Sequence, residues 1–304
     1  MVASAPLIQS HTRYQNNGRR ALAFCSAVVA TLETPSSIEE EFPSGIWRTA
    51  AVGKDKTRLH CMLYFNYNVR GGWSYDLKQG SVWITFLELK KLNKRDIRIM
   101  NVFLYNSQHR NKSSFEEILE IVNYTLPCVN MAELSVHATM KYPQEDLLKL
   151  LSIYKHSAFQ RISTTVNDSP VSDFILPHLT SELLKNFRVH GAACSRSFKE
   201  AMRDAALHKQ WNGLSFEVDN AEFDLDFLEE MFQKPVTQEQ EYHFTFSFEI
   251  SALKNFKRDW RTSPRTHLEW IRPDGVIIDV RHVRYGNVLS VSFLPLVMYG
   301  DFCW

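Results

Sequence analysis

No stretch of this sequence stays apolar long enough to cross a membrane as a helix, and its cysteines are too scattered to form a disulfide framework. The longest apolar run near the start, Ala21 to Leu32, is broken by Ser26 and Thr31 and falls well short of the ~20 residues that a span needs. Two arginines precede it, but Glu33 and Glu39–Glu41 follow where a secretory signal would place small residues for cleavage. The five cysteines, Cys25, Cys61, Cys128, Cys194 and Cys303, are odd in number and never form a C-x-x-C pair. That is the pattern of free thiols in a reducing compartment, so a cytoplasmic or nuclear location is expected. Three N-x-S/T sequons carry no weight in such a setting. An excess of one charge sign is absent too. The 35 basic and 34 acidic side chains leave a net +1, with no global field to attract nucleic acid or an anionic membrane.

The spellings that mark chemistry are also missing. The sequence has no H-E-x-x-H, no Walker loop, no G-x-G-x-x-G and no G-x-S-x-G, and its 11 histidines follow no metal-ligand spacing. Cys25 lies among Ala23, Phe24, Ala27 and Val28, the setting of a small buried thiol rather than a nucleophile. The acidic run Glu222, Asp224, Asp226, Glu229 and Glu230 falls at helical spacing opposite Leu225, Leu228 and Phe232, which makes it a solvated helix face. No catalytic residue, metal ligand, cofactor or small-molecule substrate is therefore expected.

What is present is an ordinary globular composition, 44% hydrophobic and 23% charged with 12% aromatic, in a chain of 304 residues, ample for a core without staples. Residues 1–18 are polar and read as a flexible leader. Over residues 19–57, a helix from about Arg20 to Leu32 is ended by Thr34-Pro35. Ser36-x-x-Glu39 and Ser37-x-x-Glu40 then spell capping boxes, and Trp47 opens another apolar turn. Residues 58–95 change to the two-residue period of strands at Leu59, Cys61, Leu63 and Phe65, with a turn at Gly71-Gly72 and a second β-rich run at Ser81–Phe86. They read as a β-rich connecting element.

Residues 96–262 alternate. Strand-like runs at Ile97–Leu104, Met131–Val136, Phe159–Val166, Leu184–Val189, Trp211–Val218 and Tyr242–Ile250 are mostly separated by amphipathic helical patterns, such as Phe115, Ile118, Leu119 and Val122. Aligned, four strands share an L-x-x-L-x-L-like core centred on Leu134, Ile162, Phe187 and Leu214, spaced by 28, 25 and 27 residues. That is the period of a leucine-rich repeat, in which strand and helix alternate and neighbours cover each other. The four central residues should sit side by side, buried, on adjacent parallel strands about 4.8 Å apart. Ser135, Ser163, Arg188 and Ser215, one position later, should then form a row on the opposite, open face, the natural partner-binding surface. Residues 263–304 read as a closing antiparallel meander, with turns at Pro273-Asp274-Gly275 and Tyr285-Gly286-Asn287. The expected fold is thus α/β: a short helical N-terminal unit, an irregular leucine-rich-repeat-like βα solenoid, and a C-terminal antiparallel meander.

The opening Leu22-Ala-Phe-Cys-Ser-Ala-Val-Val-Ala-Thr-Leu32, then Trp47-Arg-Thr-Ala-Ala and Trp73-Ser74-Tyr75, resembles nematode lineage-expanded proteins related to F-box proteins. Ala21-Leu22 stands where an F-box opens with Leu-Pro. The resemblance implies that residues 19–57 are an F-box-like unit docking on the adaptor subunit of a cullin ubiquitin ligase, with Phe24, Val28, Leu32 and Trp47 as apolar anchors. The βα region would recruit a protein target. A second reading comes from the residues alone. Arg258, Trp260, Arg261, Arg265 and Trp270 interleave cations with rings as single-strand-binding surfaces do, although a solvated helix face with core tryptophans fits the neutral charge better.

Overall fold

Alternation of apolar and polar residues fixes which side of each strand is covered, and short connections fix which strands are neighbours. In the computed structural model, the structure describes residues 22, 25, 45, 49–50, 58–105, 112–137, 142–165, 169–191, 195–218, 223–237, 240–246, 253, 261–263, 267–282 and 289–295. The described residues form thirteen strands in one sheet, together with six α-helices. Strands β1 (Leu59–Asn68), β2 (Gly72–Gln79) and β3 (Val82–Ile84) come first, followed by the one-turn helix α1 (Phe86–Lys90). The alternating region runs β4 (Ile97–Tyr105), α2 (Phe115–Thr125), β5 (Val129–His137), α3 (Gln144–Tyr154), β6 (Ala158–Thr165), α4 (Ser169–Leu179) and β7 (Asn186–Gly191). It continues through α5 (Arg196–His208), β8 (Gly213–Val218), α6 (Leu225–Gln233) and β9 (Glu241–Phe246). Strands β10 (Arg261–Ser263), β11 (His267–Ile271), β12 (Val276–His282) and β13 (Leu289–Pro295) complete the sheet.

Its order is β10-β11-β12-β13-β9-β8-β7-β6-β5-β4-β1-β2-β3. Strands β1 and β4 to β9 are mutually parallel, and the strands outside them on both flanks are antiparallel. Each strand from β4 to β8 lies beside the one that follows it in sequence, so successive right-handed crossovers put helices α2 to α6 on the same side. Helices α2 to α6 accordingly pack each against the next. The sheet is not closed into a barrel, and among the described residues no helix of the repeat region lies on its other face.

The predicted register holds. Leu134, Ile162, Phe187 and Leu214 are paired neighbours on β5, β6, β7 and β8, and the row extends to Leu63 and Val102 on one side and Tyr242 on the other. All are buried against the helices. The sheet is also continuous across the boundaries expected near residues 95 and 262. β1 pairs directly with β4, and β13 pairs with β9. Trp73 of β2 ties the first hairpin to the helical layer, its indole donating to Asp146 at 2.7 Å while its ring stacks on Tyr142.

Two local expectations need correction. The run Ser81–Phe86 is strand only to Ile84, because Thr85 caps α1 in a full capping box with Glu88. Helices α2 and α5 are capped by Ser114 and Ser195, each accepting the amide three residues on. Helix α4 had no predicted counterpart, since Pro177 inside it disguises the helical period. Strand alternation also slips where β4 and β5 bulge. Ile97 and Ile99 face the helices, then Val102 and Leu104, and in β5 Met131 takes φ 54° within the irregular stretch that precedes Ala132 and Leu134.

Successive repeats are linked by cations at helix ends. A helix leaves its last carbonyls without partners, and here a basic side chain from the next unit takes them. The Lys209 ammonium donates to Leu179 O at the end of α4 and lies 4.0 Å over the Trp211 ring. Lys234, buried, donates to Leu207 O and Lys209 O at 2.8 and 3.0 Å at the end of α5. Arg272, also buried, donates to Lys234 O at 2.7 Å beyond α6 and to Asp274. Burial pushes the Lys209 ammonium down to about 8 and lowers Lys234 as well. Lys234→Met keeps the stem but strands two carbonyls, so it should cost roughly 1–3 kcal/mol. Urea midpoints of the two proteins measure the loss; equal midpoints would show that water replaces the ammonium.

Candidate functional site

On the sheet face turned away from the helices, side chains of the described residues from most of the strands meet in register. Its central row begins with Tyr64, Phe103 and Ser135 on β1, β4 and β5 and continues through Ser163, Arg188, Ser215 and His243 on β6 to β9. Ser292 and Asp279 prolong it onto β13 and β12. The four residues predicted for this row are thus side by side. Their exposure is uneven, which corrects the expectation of a fully open row: Arg188 is exposed and Ser163 half-buried, but Ser135 and Ser215 are only 5% and 8% accessible. Ser135 lies against His137 (3.3 Å), and Ser215 donates to Glu217 at 2.8 Å.

Two chemical zones divide the face. Across β1, β3 and β4, Tyr64 stacks on Phe103 with ring centres 4.8 Å apart, Tyr105 meets both edge-on, and Trp83 packs beside Tyr64. Trp83 remains 48% exposed, with Lys78 over its ring. From β5 to β9 the face is polar and charged, around a depression of roughly 370 Å³. Arg161, Arg188, Asn186, Ser163 and His243 are among the residues that line it. Gly213 opens its floor, where a Cβ would stand 2.8 Å from Asn186 Oδ1.

Glu217 organises the C-terminal side of this zone. Its carboxylate accepts from Ser215, pairs with His190 at 3.2 Å and faces His243 at 3.7 Å. The His190 contact, reinforced by Ser215, holds it down to about 2. Burial lowers the basicity of His243, although Glu217 beside it acts the other way. His243 also meets Ser292 at 2.7 Å through Nδ1 and Ser290 at 3.3 Å through Nε2. Serine, histidine and carboxylate in a chain invite comparison with a hydrolase. However, Ser292 sits in a strand paired on both sides, by β9 and β12, so its backbone is committed to ladders. An acyl-transfer site needs free donors aimed at the oxyanion. Among the described residues, no group of three or more His, Cys, Asp or Glu side chains is placed to hold a metal ion, and no helix is long and apolar enough to cross a membrane.

The other predicted site residues are placed as follows. Phe24, Val28, Leu32 and Trp47 lie outside the described residues, as do Arg258, Trp260 and Arg265. Arg261 pairs with Glu269 through β10, and nothing is described of its side chain. Trp270 packs its ring against Phe232 at 5.7 Å and is half-buried, so it offers little of a stacking platform. Lys90 pairs with Glu120, and Lys94 covers the Tyr124 ring. Cys25, Cys61 and Cys128 are buried free thiols, Cys61 pushed by burial up to about 11. Sequence reasoning missed the aromatic zone and the Glu217 network. The signal for both was the alignment itself, since extending the row by one strand each way reaches Phe103 and His243. Compared with protein-family models, with curated proteins and with solved structures, the chain finds no match in any of the three.

Proposed function

We propose that this chain is a non-enzymatic protein-recognition scaffold, an irregular leucine-rich-repeat-like βα solenoid whose uncovered sheet face docks a protein partner. The observation that carries the reading is the face itself: one row of side chains in register over successive parallel strands, aromatic at one end and charged at the other. A surface of rings and an arginine, with polar groups around them, is the composition of protein interfaces. By the F-box resemblance, residues 19–57 couple the scaffold to the adaptor of a cullin ubiquitin ligase, and the docked protein is the ligase target. No specific observation favours the nucleic-acid reading, because Trp270 is engaged with Phe232.

Affinity purification of three proteins tests both halves. The wild type should retain the cullin adaptor together with a set of other proteins. Ser163→Tyr, which fills the middle of the face, should keep the adaptor and lose the others; Val28→Asp with Leu32→Asp should do the reverse. Absence of the adaptor from the wild type would sink the ligase coupling. A protein set indifferent to Ser163→Tyr would sink the docking face.

A further inference from the structure

Among the described residues, several arginine guanidinium groups are answered by carboxylates. Arg161 faces Glu133, Arg203 pairs with Asp224 and Glu230, Arg272 with Asp274, and Arg281 with Asp279. Arg188 is different. It is exposed at the centre of the open face, between Ser163 and Ser215, and among the described residues its guanidinium has no hydrogen bond or ion pair. The carboxylates around the depression are largely taken: Glu133 accepts from Asn101 and faces Arg161, and Glu217 is held by Ser215 and His190. Glu241, on β9, lies two strands from Arg188. An unanswered guanidinium beside two hydroxyls is a ready receptor for a carboxylate, which it binds through two parallel N–H donors.

The second feature is the aromatic zone. Phe103 and Arg188 occupy the same row on β4 and β7, three strands apart. At about 4.8 Å per strand that places the rings about 14 Å from the guanidinium. We infer that the partner docked on this face presents an acidic segment: an Asp or Glu side chain that pairs with Arg188, and an apolar or aromatic side chain that settles on Tyr64, Phe103 and Trp83. In an extended chain, at about 3.4 Å per residue, the two lie three to five residues apart. The inference rests on the open face being the docking surface. It adds the charge and spacing of what docks there.

A display library of random dodecapeptides, selected against the full chain, tests it. Peptides enriched on the wild type should carry Asp or Glu three to five residues from Phe, Trp, Tyr or Leu. Selection on Arg188→Glu should replace the acid with Lys or Arg at the same position. A synthetic peptide of the wild-type consensus should bind Arg188→Glu at least about tenfold more weakly, with Arg188→Lys restoring part of the affinity. Arg188 is exposed and unpaired, so these variants should fold as the wild type does, which circular dichroism checks. Ser163→Tyr separates the two levels. Peptides that lose binding to Ser163→Tyr but show no acidic preference overturn this inference alone. Peptides indifferent to both Ser163→Tyr and Arg188→Glu overturn it together with the docking face. A selection that enriches nothing also overturns it.

Discussion

Leu214→Ala should lower the stability of this protein by roughly 2–5 kcal/mol, whereas Arg188→Ala, in the adjacent strand and facing the other way, should change it by less than about 0.5 kcal/mol. Leu214 is 2% accessible and sits between Phe187 and Tyr242 in the row beneath the helices, both of them buried. Truncating it removes apolar contacts and leaves a cavity that rigid strands on either side cannot close. Arg188 is exposed, and among the described residues its guanidinium has no partner to lose. Ser215→Ala falls between the two, because it removes the hydroxyl that donates to Glu217, worth about 1 kcal/mol. Denaturation midpoints of the three variants give the order. Equal losses for Leu214→Ala and Arg188→Ala would mean that the two faces are not inside and outside as described.

That contrast depends on a pattern readable from sequence, and the reason is geometric. A sheet covered on one side forces its apolar residues to every second position, and a short helical crossover returns each strand beside the last at a near-constant interval. Leu134, Ile162, Phe187 and Leu214 obey both constraints, so spacing alone put them in one row. Where a constraint relaxes, the reading fails. Pro177 hides α4, and the irregular stretches near Met100 and Met131 shift the alternation in β4 and β5. The open face was legible as a row but not as a site. Parity says that Ser215 and Arg188 point away from the helices. It does not say that Glu217 and His137 cover two of the serines, or that among the described residues no carboxylate pairs with Arg188. Those are lateral relations between strands, fixed by side-chain reach rather than by period. The helix-end cations were invisible for the same reason: Lys209, Lys234 and Arg272 recur at unequal intervals and perform one task only in three dimensions.

Acid should weaken the fold between pH 6.5 and 4, and His178→Phe should remove a large part of that loss. His178 lies near the end of α4, 6% accessible, with Phe174 and Phe159 rings 4.9 and 5.7 Å from its own. Its Nε2 has no hydrogen-bond partner. Burial is the main cause that brings this imidazole down to about 4, and His156 nearby adds to it. The folded state therefore resists a proton that the unfolded chain accepts near 6.5. Because the unfolded state binds more protons, stability rises with pH across this window: it is complete above 6.5 and falls away toward 4, by at most about 3 kcal/mol from this group. His137 and His243 are also lowered by burial, so they add smaller losses of the same sign. Phenylalanine fills the same aromatic pocket and leaves no buried nitrogen unpaired, so the variant should be at least as stable as the wild type at pH 7. Urea midpoints at pH 7, 5 and 4 should diverge progressively, the wild type dropping more steeply. Parallel pH profiles would show that His178 already holds its proton in the folded state, or that α4 opens before it titrates.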